Sequence, residues 1–119
     1  MDMEGKSVVI TGGGSGIGRA TALMLARQGA DMIVADRNER GARETVETVA
    51  KTGRGRASII VTDVSIEADV MAMVDLSVKT YGKLDAAINC AGLPPSGQPL
   101  HHVTLDAFDS CSAVNLRGM

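Results

Sequence analysis

Three short runs, Val8-Val9-Ile10, Met32-Ile33-Val34-Ala35 and Ile59-Ile60-Val61, are continuously apolar rather than alternating. Such runs predict strands buried on both faces, as in a parallel sheet. Leu84-Asp85-Ala86-Ala87-Ile88 repeats the pattern more weakly. Between the runs the apolar spacing becomes helical. Ile17, Ala20 and Met24 follow i, i+3, i+7; Ala42, Val46 and Val49 follow i, i+4, i+7; Val70, Met73, Val74, Ser77 and Val78 follow i, i+3, i+4, i+7, i+8. Each predicts a stripe laid against the sheet.

The punctuation between segments agrees. Asn38 and Ser65 stand where N-caps belong, and Gly29, Gly53 and Gly82 where a C-terminal glycine ends a helix. Glu39 with Arg43, and Glu47 with Lys51, add i, i+4 ion pairs worth only about 0.2 to 0.5 kcal/mol each. The order is β-α-β-α-β-α-β, then a loop from Gly92 to about Val103 and a last helix from about Thr104. Right-handed crossovers make this an α/β fold, a doubly wound parallel sheet with helices on both faces.

Composition narrows the function. The 119 residues, 45% hydrophobic and 22% charged, suit one globular domain over 1–119. Charges sum to −2 with no basic block, and Tyr81 and Phe108 are the only aromatics of the Phe, Tyr and Trp set, so nucleic acid is not an expected partner. No apolar run approaches the roughly 18 residues of a membrane span, and Asp2 and Glu4 occupy the place of a secretory signal's basic start. A cytoplasmic protein is expected. Cys90 and Cys111 lie in apolar segments and are expected as buried packing residues rather than a disulfide. Adjacent His101 and His102 lack other ligands at metal spacing, so no metal site is expected.

The 14 glycines, about twice the usual share, ask for a geometric reason. The first strand runs into Thr11-Gly12-Gly13-Gly14-Ser15-Gly16-Ile17-Gly18, with a helix next. Glycines there permit a tight turn and let backbone approach a pyrophosphate, while the helix's first amides face the anion. A flexible loop is the competing explanation, and a P-loop is excluded because no Gly-Lys-Ser/Thr follows. Asp36 ends the second strand, where a carboxylate accepts from a ribose diol and repels a 2′-phosphate, favouring NAD over NADP. Arg37 next to it softens that preference, or is simply a solvated charge. Asp63-Val64 and Asn89-Cys90-Ala91-Gly92 follow the third and fourth strands, at the sheet edge where such folds bind ligands. Asp63 alternatively helps Ser65 start the next helix. Asn115, at i+7 from Phe108 and i+4 from Cys111, is expected on the inward face, where an amide must find partners or lose about 1 to 3 kcal/mol.

Together these pieces resemble the short-chain dehydrogenase/reductase family over nearly the whole chain, from Thr11 to Gly18 through Val114-Asn115-Leu116. Glu4-Gly5-Lys6 is similar to the family's lead-in, which suggests a native amino terminus. The resemblance implies a Rossmann-like sheet, with Gly12, Ser15, Gly16, Ile17 and Gly18 at the diphosphate and Asp36 with Arg37 at the adenosine ribose. Asp63 and Val64 would meet the adenine, and Asn89, Cys90, Ala91 and Gly92 would lie along the cofactor. The family more often has a second Asn where this chain has Cys90. Asn115 corresponds to the family's active-site Asn, which holds a water in the proton relay; a satisfied core amide is the other reading.

The family's carbonyl-polarising Ser and its Tyr-x-x-x-Lys pair have no counterpart before Met119, because Tyr81 is followed four residues later by Asp85. Tyr81 is expected as packing at a helix end. The sheet is therefore expected to be incomplete, truncated after the fourth strand and its helix, and the chain nearly inert alone. Its fourth strand is expected to be an exposed edge prone to association, with a homo-oligomer as one way of covering it. The leading function is an NAD-dependent oxidoreductase acting between an alcohol and a ketone. A non-catalytic dinucleotide-binding module and, less favoured, a methyltransferase are the alternatives.

Overall fold

The computed structural model describes residues 2–52 and 54–119. Four strands, β1 (Ser7–Thr11), β2 (Asp31–Asp36), β3 (Ala57–Val61) and β4 (Ala86–Asn89), form one sheet in the order β3-β2-β1-β4. All neighbours are parallel, with Val9 opposite Ile33 and Ala87, and Ile33 opposite Ser58. Helices α1 (Gly16–Arg27), α2 (Glu39–Thr52) and α3 (Glu67–Tyr81) join them, and α4 (Leu105–Ser112) follows β4 after a loop with a short 3₁₀ turn at Leu100–His102. This is the predicted doubly wound, Rossmann-like sheet.

The order explains which strands are buried. β1 and most of β2 are inaccessible to solvent, because each has strands on both sides and helices on both faces. On one face Val8, Ile10 and Met32 pack with Ala22, Leu25 and Ala26 of α1 and Val49 of α2. On the other Val9, Ile33 and Ala35 pack with Met73 of α3. The two edges are β3 and β4: Ala86, Ala87 and Asn89 of β4 are exposed, as expected of its edge position, whereas β3, whose continuous apolar run predicts burial on both faces, is the other edge and only half-buried.

The stripe expected on α1 is corrected. Ile17 is 79% and Met24 53% exposed, and Ala20 is exposed too. The helix turns Gly18, Ala22, Leu25 and Ala26 to the sheet instead, because small residues let its axis approach closely. On α2 the buried face holds Ala42, Val49 and Thr45, with Val46 half-buried; on α3 it holds Met73 and Ser77, while Val78 is largely exposed.

Helix ends follow the punctuation only in part. The Asn38 side chain accepts from the Gly41 N–H at 3.2 Å, as an N-cap should, and Gly29 and Gly82 adopt φ of 91° and 80° beyond α1 and α3. Gly53 lies outside the described residues. Ser65 is not the cap of α3, which begins after Ile66 without a side-chain cap. The Glu39–Arg43 pair forms at 2.7 Å, but Glu47 and Lys51 make no ion pair among the described residues. Thr104 caps α4 by accepting from the Ala107 N–H, and Phe108 points outward, 59% exposed, against expectation. Tyr81 closes the sheet beside β3, donating its O–H to the Met32 carbonyl at 3.1 Å under the Arg56 guanidinium. Cys90 and Cys111 are free and half-buried rather than fully buried. No helix among the described residues is long and apolar enough to cross a membrane.

Candidate functional site

The carboxyl ends of all four strands open into one cleft of about 470 Å³. Its walls are the glycine loop after β1 (Gly12, Ser15, Gly16, Ile17, Gly18), Asp36 and Arg37 after β2, and Asp63 and Val64 after β3. Cys90, Ala91 and Gly92 after β4 complete the wall that the sequence predicts. Asn89 does not line it; its amide donates to the Met119 carbonyl at 3.5 Å. Ala35, Thr62 and Leu93 also line the cleft, although no motif in the sequence marks them, and so does Val114, beside the candidate Asn115.

The loop is tight at Gly12, Gly13, Gly14 and Gly18 and open at Gly16. A Cβ on Gly18 would collide with the Gly12 carbonyl oxygen, and one on Gly12, at φ 64°, would lie 2.7 Å from the Ala91 nitrogen. Gly16, at φ 49°, would meet nothing within 4 Å. The positive end of α1 thus faces free space. Ser15, its N-cap, makes no side-chain cap, and no acid stands in the first turn.

Hydrogen bonds behind the loop turn its carbonyls away from the cleft. Arg19 donates from Nη2 to the Gly14 carbonyl at 2.6 Å and to that of Gly41 at 3.1 Å, and from Nε to Thr45 Oγ1 at 3.0 Å. The Thr45 hydroxyl in turn donates to the Gly13 carbonyl at 2.8 Å. No sequence motif points to either residue, since only the packing of α2 against the loop joins them. Thr45→Val keeps the shape but leaves a buried carbonyl and the Arg19 Nε–H without this partner. A loss of about 1 to 3 kcal/mol is expected in urea unfolding; an unchanged midpoint would show that the relay carries no stability.

Both oxygens of Asp36 are engaged by backbone, Oδ2 by the Gly14 N–H and Oδ1 by the Asn38 N–H, each at 2.9 Å. The carboxylate therefore ties the glycine loop to the start of α2. Thr62, which also lines the cleft, is only 2% exposed, and its Oγ1 has no hydrogen-bond partner among the described residues. Asp63 accepts the Ser65 N–H and O–H at Oδ1, at 2.9 and 2.6 Å, while Arg37 Nε stands 3.7 Å from Oδ2. Asp63 and Ser65 thus shape the turn before α3 jointly, in place of a Ser65 cap.

Asn115 sits in a π-helical turn, Ala113–Arg117, that continues α4. Its Oδ1 accepts the Leu93 N–H at 2.7 Å, and its Nδ2 donates to the Leu93 carbonyl at 3.1 Å and to Cys111 Sγ at 3.2 Å. The amide is fully satisfied and clamps the loop after β4 at the cleft wall. His101 and His102 are exposed in that loop and take no part in the wall.

Three carboxylates are held below their ordinary range. For Asp31 the main cause is the Arg56 side-chain hydrogen bond, for Asp63 the Ser65 hydroxyl, and for Asp85 the Ser7 N–H. Carboxylates with depressed folded values stabilise fully above their unfolded pKa of about 3.9, and that contribution is lost as pH falls through the lower folded values. The urea midpoint is expected to stay flat from about pH 7 to 5 and to fall below about pH 4. A midpoint that rises on acidification would contradict these bonds.

The short chain dehydrogenase family model matches residues 6–119. A short chain dehydrogenase/reductase of Aspergillus oryzae is 41% identical over 117 residues, covering 98% of this chain and 45% of the relative. The 2,5-dichloro-2,5-cyclohexadiene-1,4-diol dehydrogenase of Sphingobium indicum is 40% identical over the same shares. Among solved structures, levodione reductase superposes with a TM-score of 0.93 at 37% identity, over 98% of this chain and 45% of that one. The 3-ketoacyl-(acyl-carrier-protein) reductase of Brucella melitensis, solved with NADH, gives 0.91 at 35% identity, over 98% and 46%. The chain spans a little under half the length of each.

Proposed function

Since the chain belongs to the short-chain dehydrogenase family, we propose that its cleft binds a nicotinamide dinucleotide, NAD in preference to NADP. The protein it forms would serve oxidoreduction between a secondary alcohol and a ketone. The observation that carries this is the uncapped amino end of α1, facing the open space at Gly16 beside the Asp36 carboxylate. Amides at a helix start suit a diphosphate, and a fixed carboxylate suits a sugar diol.

The residues fit such a ligand. Gly12, Ser15, Gly16, Ile17 and Gly18 would hold the diphosphate through backbone, with Arg19 and Thr45 keeping the loop's carbonyls turned away. Asp36 would accept from the ribose; its Oδ atoms each retain a lone pair beyond the backbone bond they accept. Asp63 and Val64 would meet the adenine beside the orphaned Thr62 hydroxyl, while Cys90, Ala91 and Gly92, small and near the Gly12 backbone, would leave room along the cofactor. The cofactor supplies the carbon that gives or takes hydride. Asn89, outside the cleft wall, would act through the backbone of its loop alone. Asn115 is a positioning residue in this scheme: its clamp on Leu93 fixes the loop against which the reacting end of the cofactor would rest.

Calorimetric titration tests this. NAD⁺ should bind saturably at one site, and excess S-adenosylmethionine should not displace it. Absence of NAD⁺ binding to folded protein, or displacement by S-adenosylmethionine, would reject the proposal.

A further inference from the structure

Among the described residues, the charged ones lining the cleft are two acids, Asp36 and Asp63, and one base, Arg37. Arg37 follows Asp36 directly, so its guanidinium can reach the surroundings of whatever sugar Asp36 holds. A free guanidinium there would bind a phosphate on that sugar through paired, charge-assisted hydrogen bonds. It is not free: its Nε stands 3.7 Å from Asp63 Oδ2.

Asp63 is built to hold it. Its Oδ1 is occupied by the Ser65 N–H and O–H, which leaves Oδ2 for the guanidinium. Its own N–H donates to Asp69 Oδ2 at 2.9 Å, which fixes the turn to the first turn of α3. The acid is therefore anchored, while the Arg37 side chain, 64% exposed, has no other ion-pair partner among the described residues.

We propose that Asp63 is a selectivity residue acting through Arg37: by pairing with the guanidinium it withholds that cation from a 2′-phosphate. Dinucleotide choice then depends on where Arg37 is held as well as on the charge of Asp36. This rests on the dinucleotide reading above. An exposed ion pair is a weak tether, so the expected change is several-fold rather than many orders of magnitude.

The test is a double-mutant cycle, with NAD⁺ and NADP⁺ titrated into the wild-type chain, Asp63→Asn, Arg37→Met and the double variant. Both ligands carry the same adenine, so weaker adenine binding in Asp63→Asn affects the two alike and cancels in the ratio of their affinities. Asp63→Asn should raise the NADP⁺ to NAD⁺ affinity ratio about fivefold, Arg37→Met alone should move it less than about twofold, and the double variant should return it to the wild-type value. An unmoved ratio in Asp63→Asn with NAD⁺ still bound would overturn the inference alone. So would a gain that persists without Arg37, or a fivefold loss of NADP⁺ affinity in Arg37→Met, which would mean that the guanidinium already reaches the phosphate. If the wild-type chain binds neither ligand, the dinucleotide reading falls and this inference with it.

Discussion

Alanine at position 18 should lower the thermal midpoint by roughly 4 to 12 °C and remove measurable NAD⁺ binding. The new methyl group would collide with the Gly12 carbonyl oxygen, and Gly12 has nowhere to retreat, since a Cβ placed on it would already lie 2.7 Å from the Ala91 nitrogen. α1, the glycine loop and the loop after β4 are stacked on bare backbone, so relief at one layer must move the next. Overpacking of this kind costs about 1 to 3 kcal/mol, occasionally more, and each kcal/mol is worth about 4 °C in a domain of this size. Gly16→Ala separates the two effects. Its methyl meets no protein atom within 4 Å, so the fold loses only the left-handed backbone cost of about 1 to 2 kcal/mol while the methyl occupies the open cleft. A Gly18→Ala protein that keeps both its midpoint and its affinity would refute the stacked-loop description.

Asp36→Ala should weaken NAD⁺ by about 30-fold or more while weakening NADP⁺ far less. The carboxylate accepts the Gly14 and Asn38 N–H groups, so its loss frees the glycine loop from the start of α2 as well as removing the sugar's acceptor. Hydrogen bonds to a charged group are worth about 1.5 to 3 kcal/mol each, and water recovers part of that at this half-buried position, so a stability loss of about 2 kcal/mol is expected alongside. The two consequences are distinguishable. Loop disorder penalises both dinucleotides equally, whereas loss of the negative charge relieves only the one with the 2′-phosphate. Equal losses for NAD⁺ and NADP⁺ would reduce Asp36 to a structural tether.

What the chain's pattern makes legible is the sheet and the edge of the sheet that matters. Apolar runs locate all four strands, continuous in β1 and β2 because burial on both faces removes any need for alternation, and the glycines mark the loop because few other residues can serve there. The α1 face misleads for the opposite reason: Ile17 and Met24 weigh heavily in any apolar pattern, yet the sheet admits only Gly18, the alanines and Leu25 at close range. β3 has the composition of a central strand, and nothing local reveals that it lies at an edge, whereas β4 is expected there and found there. Ser65 has the chemistry of a cap, but Asp63 takes its hydroxyl. Arg19, Thr45 and Thr62 are silent in the sequence because their importance arises where segments distant along the chain meet.

Nitrogen-labelled protein titrated with NAD⁺ and followed by amide chemical shifts tests the central claim most directly. The largest shifts should fall on residues 12–18, with a second group at Asp36, Asp63 to Val64 and Cys90 to Gly92. Shifts confined to the opposite end of the sheet, or none at saturating NAD⁺, would contradict a dinucleotide held by the amino end of α1.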